Sequence, residues 1–256
     1  QQAELEAKQA ELNKPIFEET DSDSIKMAKA SYTLGDFAQG ALGSEEIVTL
    51  ENEVVKIDFS TKGALVESVI LKDYLNYKKE TLTLFEKGDN WFSIELPTRS
   101  NRMLQTADMN FRVGAKTDSS VVFTLPIEGG RSLDFIYVLH PNDYMVDFDV
   151  KANGLSEVLQ PVDALKSYWK YKVRQQEKGR KFENRYSQIY YYLTDDEDYE
   201  YLSETSSETE EVNEKIRWIA YKDQFFSAVL IADNSVKSAT ISSELEPDKS
   251  EYLKAY

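Results

Sequence analysis

His140 is the only histidine in the 256-residue chain, and there is no cysteine to share chemistry with it. Structural disulfides, thiolate nucleophiles and Cys-type zinc sites are therefore excluded, as are metal centres built on several imidazoles. The lack of cysteine is compatible with a reducing or an oxidising compartment. A serine triad would have to recruit His140, but no Gly-x-Ser-x-Gly elbow is present. His140 stands before Pro141 at the end of a strand-like run, with no partner motif beside it. Glu128-Gly129-Gly130-Arg131 reads as a hairpin turn and not as a phosphate-binding loop. The carboxylates of Asp147 and Asp149 could pair for glycosidase chemistry. Their alternate spacing instead places them on the outward face of a strand, where they solubilise. The acidic run from Thr194 to Glu211 offers the oxygen ligands calcium needs, but it lacks the alternating Asp/Asn ligands and turn glycine of an EF-hand loop. A solvated loop is the expected reading, and no cofactor is expected.

Charge narrows the partners. The formal net charge is −16, so nucleic acid and anionic headgroups would be repelled, and neither is expected as a general partner. Against that background Lys166 to Arg185 is locally basic, and Trp169, Tyr171 and Val173 alternate with Lys170, Lys172 and Arg174. Such a stripe reads as a strand with one charged face, and Lys166, Lys170, Lys172 and Arg174 form a candidate interaction surface. It could also pair with the acidic run across a hairpin, which would set register while contributing only about 0–1 kcal/mol per exposed bridge.

The elements that position these residues are strands. Hydrophobic residues make up 41% of the chain and aromatics 12%, which marks a folding sequence with ample core. Val55, Ile57 and Phe59 alternate with Lys56 and Asp58, and further strand-like runs follow at 65–71, 91–96, 121–125, 133–139 and 144–150. Turn signals separate them at 87–90, 128–130 and 141–143. No convincing amphipathic helix interrupts residues 46–159. This pattern argues an all-β, antiparallel sandwich. Near the far end, Ile216 to Tyr221 alternates as a strand. Ser227 to Ala232 is almost continuously apolar, as suits a strand buried on both faces. No apolar run approaches the ~20 residues that span a bilayer. Residues 1–44 read as a linker or tether, helical or disordered, with helix formers in Gln1 to Leu12 and a breaker at Pro15; residues 45–256 read as the folded domain.

Two separated segments carry a resemblance. Trp218-Ile219-Ala220-x-Lys222-x-Gln224-Phe225-Phe226-x-Ala228 is similar to the closing segment of the large periplasmic domain of YidC/Oxa/Alb-family membrane insertases. Asn52 to Tyr74 resembles that domain's opening strands, with Lys62, Gly63, Leu71, Lys72 and Tyr74 in its most specific part. The resemblance implies a β-supersandwich fold similar to sugar mutarotases, without bond chemistry. A mutarotase-like site needs a histidine acid and a carboxylate base, and His140 offers no partner motif. It further implies a soluble scaffold or partner-binding domain at the periplasmic face of the inner membrane. That domain would be cut from a multi-pass parent whose membrane spans lie on either side. The implied partners are Sec translocon components and nascent membrane proteins, and the motif residues are expected to form a buried aromatic corner. The contrasting expectation is a secreted carbohydrate-binding or sugar-modifying sandwich, with a cleft lined by exposed aromatics and paired carboxylates.

Overall fold

The computed structural model describes residues 16–248 and 250–256. The helix formers of Gln1 to Leu12 lie outside the described residues. Helix α1 (Asp23–Leu34) leads into a 3-10 turn at Gly35–Ala41. The stretch read as tether thus packs Ala30, Phe37 and Ala38 out of solvent. Gly40 lies flush on its neighbours. A Cβ there would meet Leu125 Cδ1 at 2.9 Å and Met109 Cβ at 3.2 Å.

Period-two alternation then builds strand after strand. β1 (Ile47–Glu51), β2 (Val55–Ser60), β3 (Leu65–Leu75) and β4 (Thr81–Phe85) form one antiparallel sheet in that order. β5 (Asn90–Pro97) and β6 (Met103–Gln105) begin a second. β7 (Arg112–Lys116), β8 (Ser120–Ile127), β9 (Arg131–Leu139) and β10 (Val146–Asn153) form a third, ordered β10-β9-β8-β7. Strict alternation in β8 buries Val121, Phe123, Leu125 and Ile127, and β9 answers with Leu133, Phe135, Tyr137 and Leu139. Gly129 and Gly130, at φ +77° and +75°, make the turn between them.

β11 (Ser167–Arg174) is followed by the short helix α2 (Arg180–Tyr186) and by β12 (Gln188–Leu193), β13 (Asp198–Tyr201), β14 (Glu208–Val212), β15 (Ile216–Lys222), β16 (Ser227–Val236), β17 (Ala239–Leu245) and β18 (Tyr252–Ala255). Six strands run β14-β17-β18-β11-β5-β6, and the last sheet is β13-β12-β15-β16. One apolar core connects all four sheets. The antiparallel sandwich read from the strand pattern, and the β-supersandwich that the resemblance implies, is the observed architecture.

Two expectations are corrected. The basic stripe does not pair with the acidic run. β11 hydrogen-bonds β5 and β18, while the acidic strands β13 and β14 join β12 and β17. The apolar face of β11, with Tyr171 and Val173 buried, decides its neighbours where its surface charges do not. β16 is not buried on both faces either. Among the described residues it is an edge strand, and Val229 and Ile231 are 46% and 44% exposed. Its apolar run faces an open cleft.

Candidate functional site: an apolar cleft beside an open strand edge

The two motif-bearing segments, about 150 residues apart, meet at one wall of a cleft of about 1170 Å³. Tyr74 at the end of β3 packs edge-to-face on Phe226 of the β15–β16 turn, ring centroids 5.2 Å apart. The turn closes with the Asp223 N–H donating to the Phe226 carbonyl at 2.8 Å. Leu71 lines the cleft from β3, and Phe92 and Phe148 line it from β5 and β10, packed edge-to-face at 5.8 Å. Phe148 also stacks on Tyr137 at 4.7 Å. Trp169 is fixed by its indole N–H donating to Asn90 Oδ1 at 2.8 Å, and the Asn90 amide donates to the Val66 carbonyl at 2.7 Å. Edge strand β16 completes the wall. Carboxylates of Asp147, Asp149, Glu177 and Asp233 supply the polar lining. Chemically this is a place for an apolar chain or ring with backbone hydrogen-bonding capacity at one edge.

The structure separates the motif residues by role. Gly63, at φ +73°, sits where a Cβ would come 2.8 Å from Ala107 Cα, and its N–H donates to the Met109 carbonyl at 2.7 Å. Its neighbour Lys62 donates to the Asp108 carbonyl, and burial pulls its ammonium pKa down. Lys72 bridges Glu51 at 2.6 Å. Lys222 donates to the Tyr186 carbonyl at 2.9 Å, and Trp218 stacks on Tyr192 at 5.8 Å. Gln224 is half-buried, and its Oε1 has no partner among the described residues. The expected buried aromatic corner is only half formed. Phe226 packs on Tyr74, but Phe225 is 65% exposed because the tight turn projects it away from the sheet.

Of the proposed basic surface, Lys166, Lys170 and Lys172 are exposed. Lys170 lies 5.0 Å over the Trp91 ring and Lys172 lies 5.1 Å over Tyr252. Arg174 is held within the chain by Asp89, by Glu86 at 2.7 Å and by Glu251 at 3.3 Å.

His140 does have a carboxylate partner that the sequence reading missed. Its Nε2 stands 2.7 Å from Asp147 Oδ2 across the β9–β10 hairpin. The Pro141-Asn142-Asp143 turn between them was the available signal. Both side chains are about half exposed, and only Asp147 lines the cleft. The pair is satisfied by itself and does not converge on a point inside the cleft. Among the described residues no three His, Asp or Glu side chains gather as a metal site.

Behind the cleft corner lies a buried polar cluster. Glu183 of α2 is fully buried. Its Oε1 accepts from the Gln176 and Glu177 N–H groups at 2.6 and 3.0 Å, while Oε2 has no partner among the described residues. Burial, and then the charge of Asp223, pushes its carboxyl up to about 8. Asp223, itself raised by burial, accepts from the Ser187 hydroxyl at 2.9 Å. Lys254 of β18 is buried beside them, donates to the Ser187 and Glu204 carbonyls, and is pulled down to about 8 by burial.

The family description "YidC periplasmic domain" matches residues 47–256. The Membrane protein insertase YidC of Azobacteroides pseudotrichonymphae genomovar. CFP2 is 40% identical over 225 residues, covering 87% of this chain and 36% of that protein. The protein of the same name from Parabacteroides distasonis is 38% identical over 228 residues, covering 88% and 36%. The chain thus spans about a third of the length of the curated relatives it matches. Among solved structures, a galactose mutarotase-like protein from Lactobacillus casei aligns with a TM-score of 0.49 and 13% identity, over 82% of this chain and 86% of that one.

Proposed function

This chain belongs to the YidC periplasmic domain family of membrane insertases, and from that premise we propose that it is the partner-binding, non-catalytic extramembrane part of an inner-membrane insertase. In this reading the parent protein assists insertion and folding of membrane proteins, alone or with the Sec translocon, and this domain faces the periplasm. The observation that carries the proposal is the apolar cleft bounded by the open edge of β16. An unpaired strand edge beside an aromatic wall suits an extended, apolar polypeptide, because main-chain hydrogen bonds supply affinity whatever the sequence and the wall takes alternate side chains. No helix among the described residues is long and apolar enough to cross a membrane. Insertion itself would fall to the rest of the parent.

The test is site-specific photocrosslinking from position 225, an exposed part of the cleft lining, in the full-length protein while a membrane protein is being inserted. Adducts to the nascent chain or to a Sec subunit are expected. Labelling no different from that of a probe at Asp118, in the exposed turn between β7 and β8, would overturn the proposal. The sugar-binding alternative rests on the aromatic cleft walls with the carboxylates of Asp147 and Asp149 among them. It predicts saturable heat on titrating galactose into the chain, abolished by Phe148→Ala.

A further inference from the structure

The sheet β13-β12-β15-β16 has two unlike faces. The inner one buries Ile189, Tyr191 and Tyr221. The outer one is open, and the strand register lays two rows across it. In the first, Tyr199, Tyr192, Trp218 and Ile231 stand side by side on four successive strands. In the second, Tyr201, Tyr190, Ala220 and Val229 do the same. Tyr190 lies 5.9 Å from Tyr199 and 5.4 Å from Tyr201, ring centroid to centroid, so the rings form one continuous platform. Tyr199 and Tyr201 are each 54% exposed.

Charge selects what such a platform would hold. The β12–β13 turn at its border carries Asp195, Asp196 and Glu197, while Asp198 and Glu200 fall on the opposite face of β13; among the described residues only Asp195 of the three has a cationic partner, Lys215 at 3.2 Å. An anionic membrane or a nucleic acid would be repelled from this border. A cation would be drawn to it and would then find ring faces to settle on. The chain already shows that preference on itself: the Lys222 ammonium lies 5.8 Å from the Tyr186 ring centroid and 6.0 Å from that of Tyr190. We propose that this outer sheet face is a docking surface for a protein partner bearing a basic, Arg- or Lys-rich segment, whose cations stack on Tyr190, Tyr192, Tyr199 and Tyr201 with the acidic loop as counter-charge. The proposal is independent of the role assigned to the cleft. The platform's aromatic residues are not cleft residues, although the two sites share strand β16.

The probe is a synthetic peptide of alternating Arg and Leu, titrated into the chain and followed by Trp218 fluorescence against a Trp218→Phe blank. Tyr199→Ala/Tyr201→Ala removes rings but no charge, and is expected to weaken binding about tenfold. Tyr199→Phe/Tyr201→Phe keeps the rings and should keep the affinity, which separates ring loss from misfolding. Equal affinity in the double-Ala variant would mean adhesion to net charge alone and would overturn the proposal. So would tighter binding to vesicles of phosphatidylethanolamine and phosphatidylglycerol than to the peptide.

Discussion

Glu183 is fully buried, and the charge that acts on it most, that of Asp223, has the same sign. Burial and that charge push its carboxyl from the ordinary 4.5 up to about 8 in the folded chain. Between those values the native state holds more protons than the unfolded chain, so this group lowers stability as pH rises through the window. Lys254 acts the opposite way at higher pH. Its folded value of about 8 lies below the unfolded 10.5, so the unfolded chain binds more protons from there upward and stability recovers. Glu183→Gln keeps the oxygen that accepts from Gln176 and Glu177 and removes the titration. Chemical denaturation should find it more stable than the parent at pH 7.5 by on the order of 2 kcal/mol, and nearly equal at pH 4. Equal stability at both values would mean that Glu183 is already compensated in its site.

At the scale of elements, the sequence revealed strands better than it revealed their neighbours. β2, β8 and β9 were legible because each has one buried face, and alternation records that directly. The same signal misled at β16. Its continuous apolar run reflects an inner face on the core, an outer platform and a cleft at its edge, which from sequence looks like burial on both sides. The platform itself had a trace in the alternate tyrosines 190/192 and 199/201, but the second pair sits inside an acidic run and reads as loop. The meeting of Tyr74 with Phe226 is set by the pairing of whole sheets, which no single strand encodes. The segment before β1 was equally hard to judge. Its few apolar residues have no strand period, yet Phe37 is fully buried. Phe37→Ala should therefore cost about 3–5 kcal/mol in a denaturant melt. A loss under 1 kcal/mol would mean that the 3-10 turn docks without supporting the fold.

The whole molecule carries a net charge of −16, and its ion pairs are few and mostly exposed among the described residues. Self-repulsion then opposes the compact state, and salt relieves it over a Debye length of about 10 Å at 0.1 M. Raising sodium chloride from about 10 mM to about 0.2 M should lift the melting temperature by roughly 2–4 °C, the equivalent of about 1 kcal/mol for a chain of this size. A fall would mean that attractive pairs outweigh the repulsion. The same excess negative charge bears on both proposed surfaces, since it favours cationic partners at long range before any contact forms.

The six-stranded sheet is joined at its middle by β18, which pairs with β11 on one side and β17 on the other through Ala255 and Lys254. In a chain delivered N-terminus first, β11 would wait with one edge unpaired while some 80 further residues emerged. Closure of this sheet is thus a late, long-range event, and kinetics should show a slow step coinciding with the burial of Tyr256. Until then the waiting edge is open to strands from other chains. A sheet that closes this way is at its most adhesive just before its middle strand arrives.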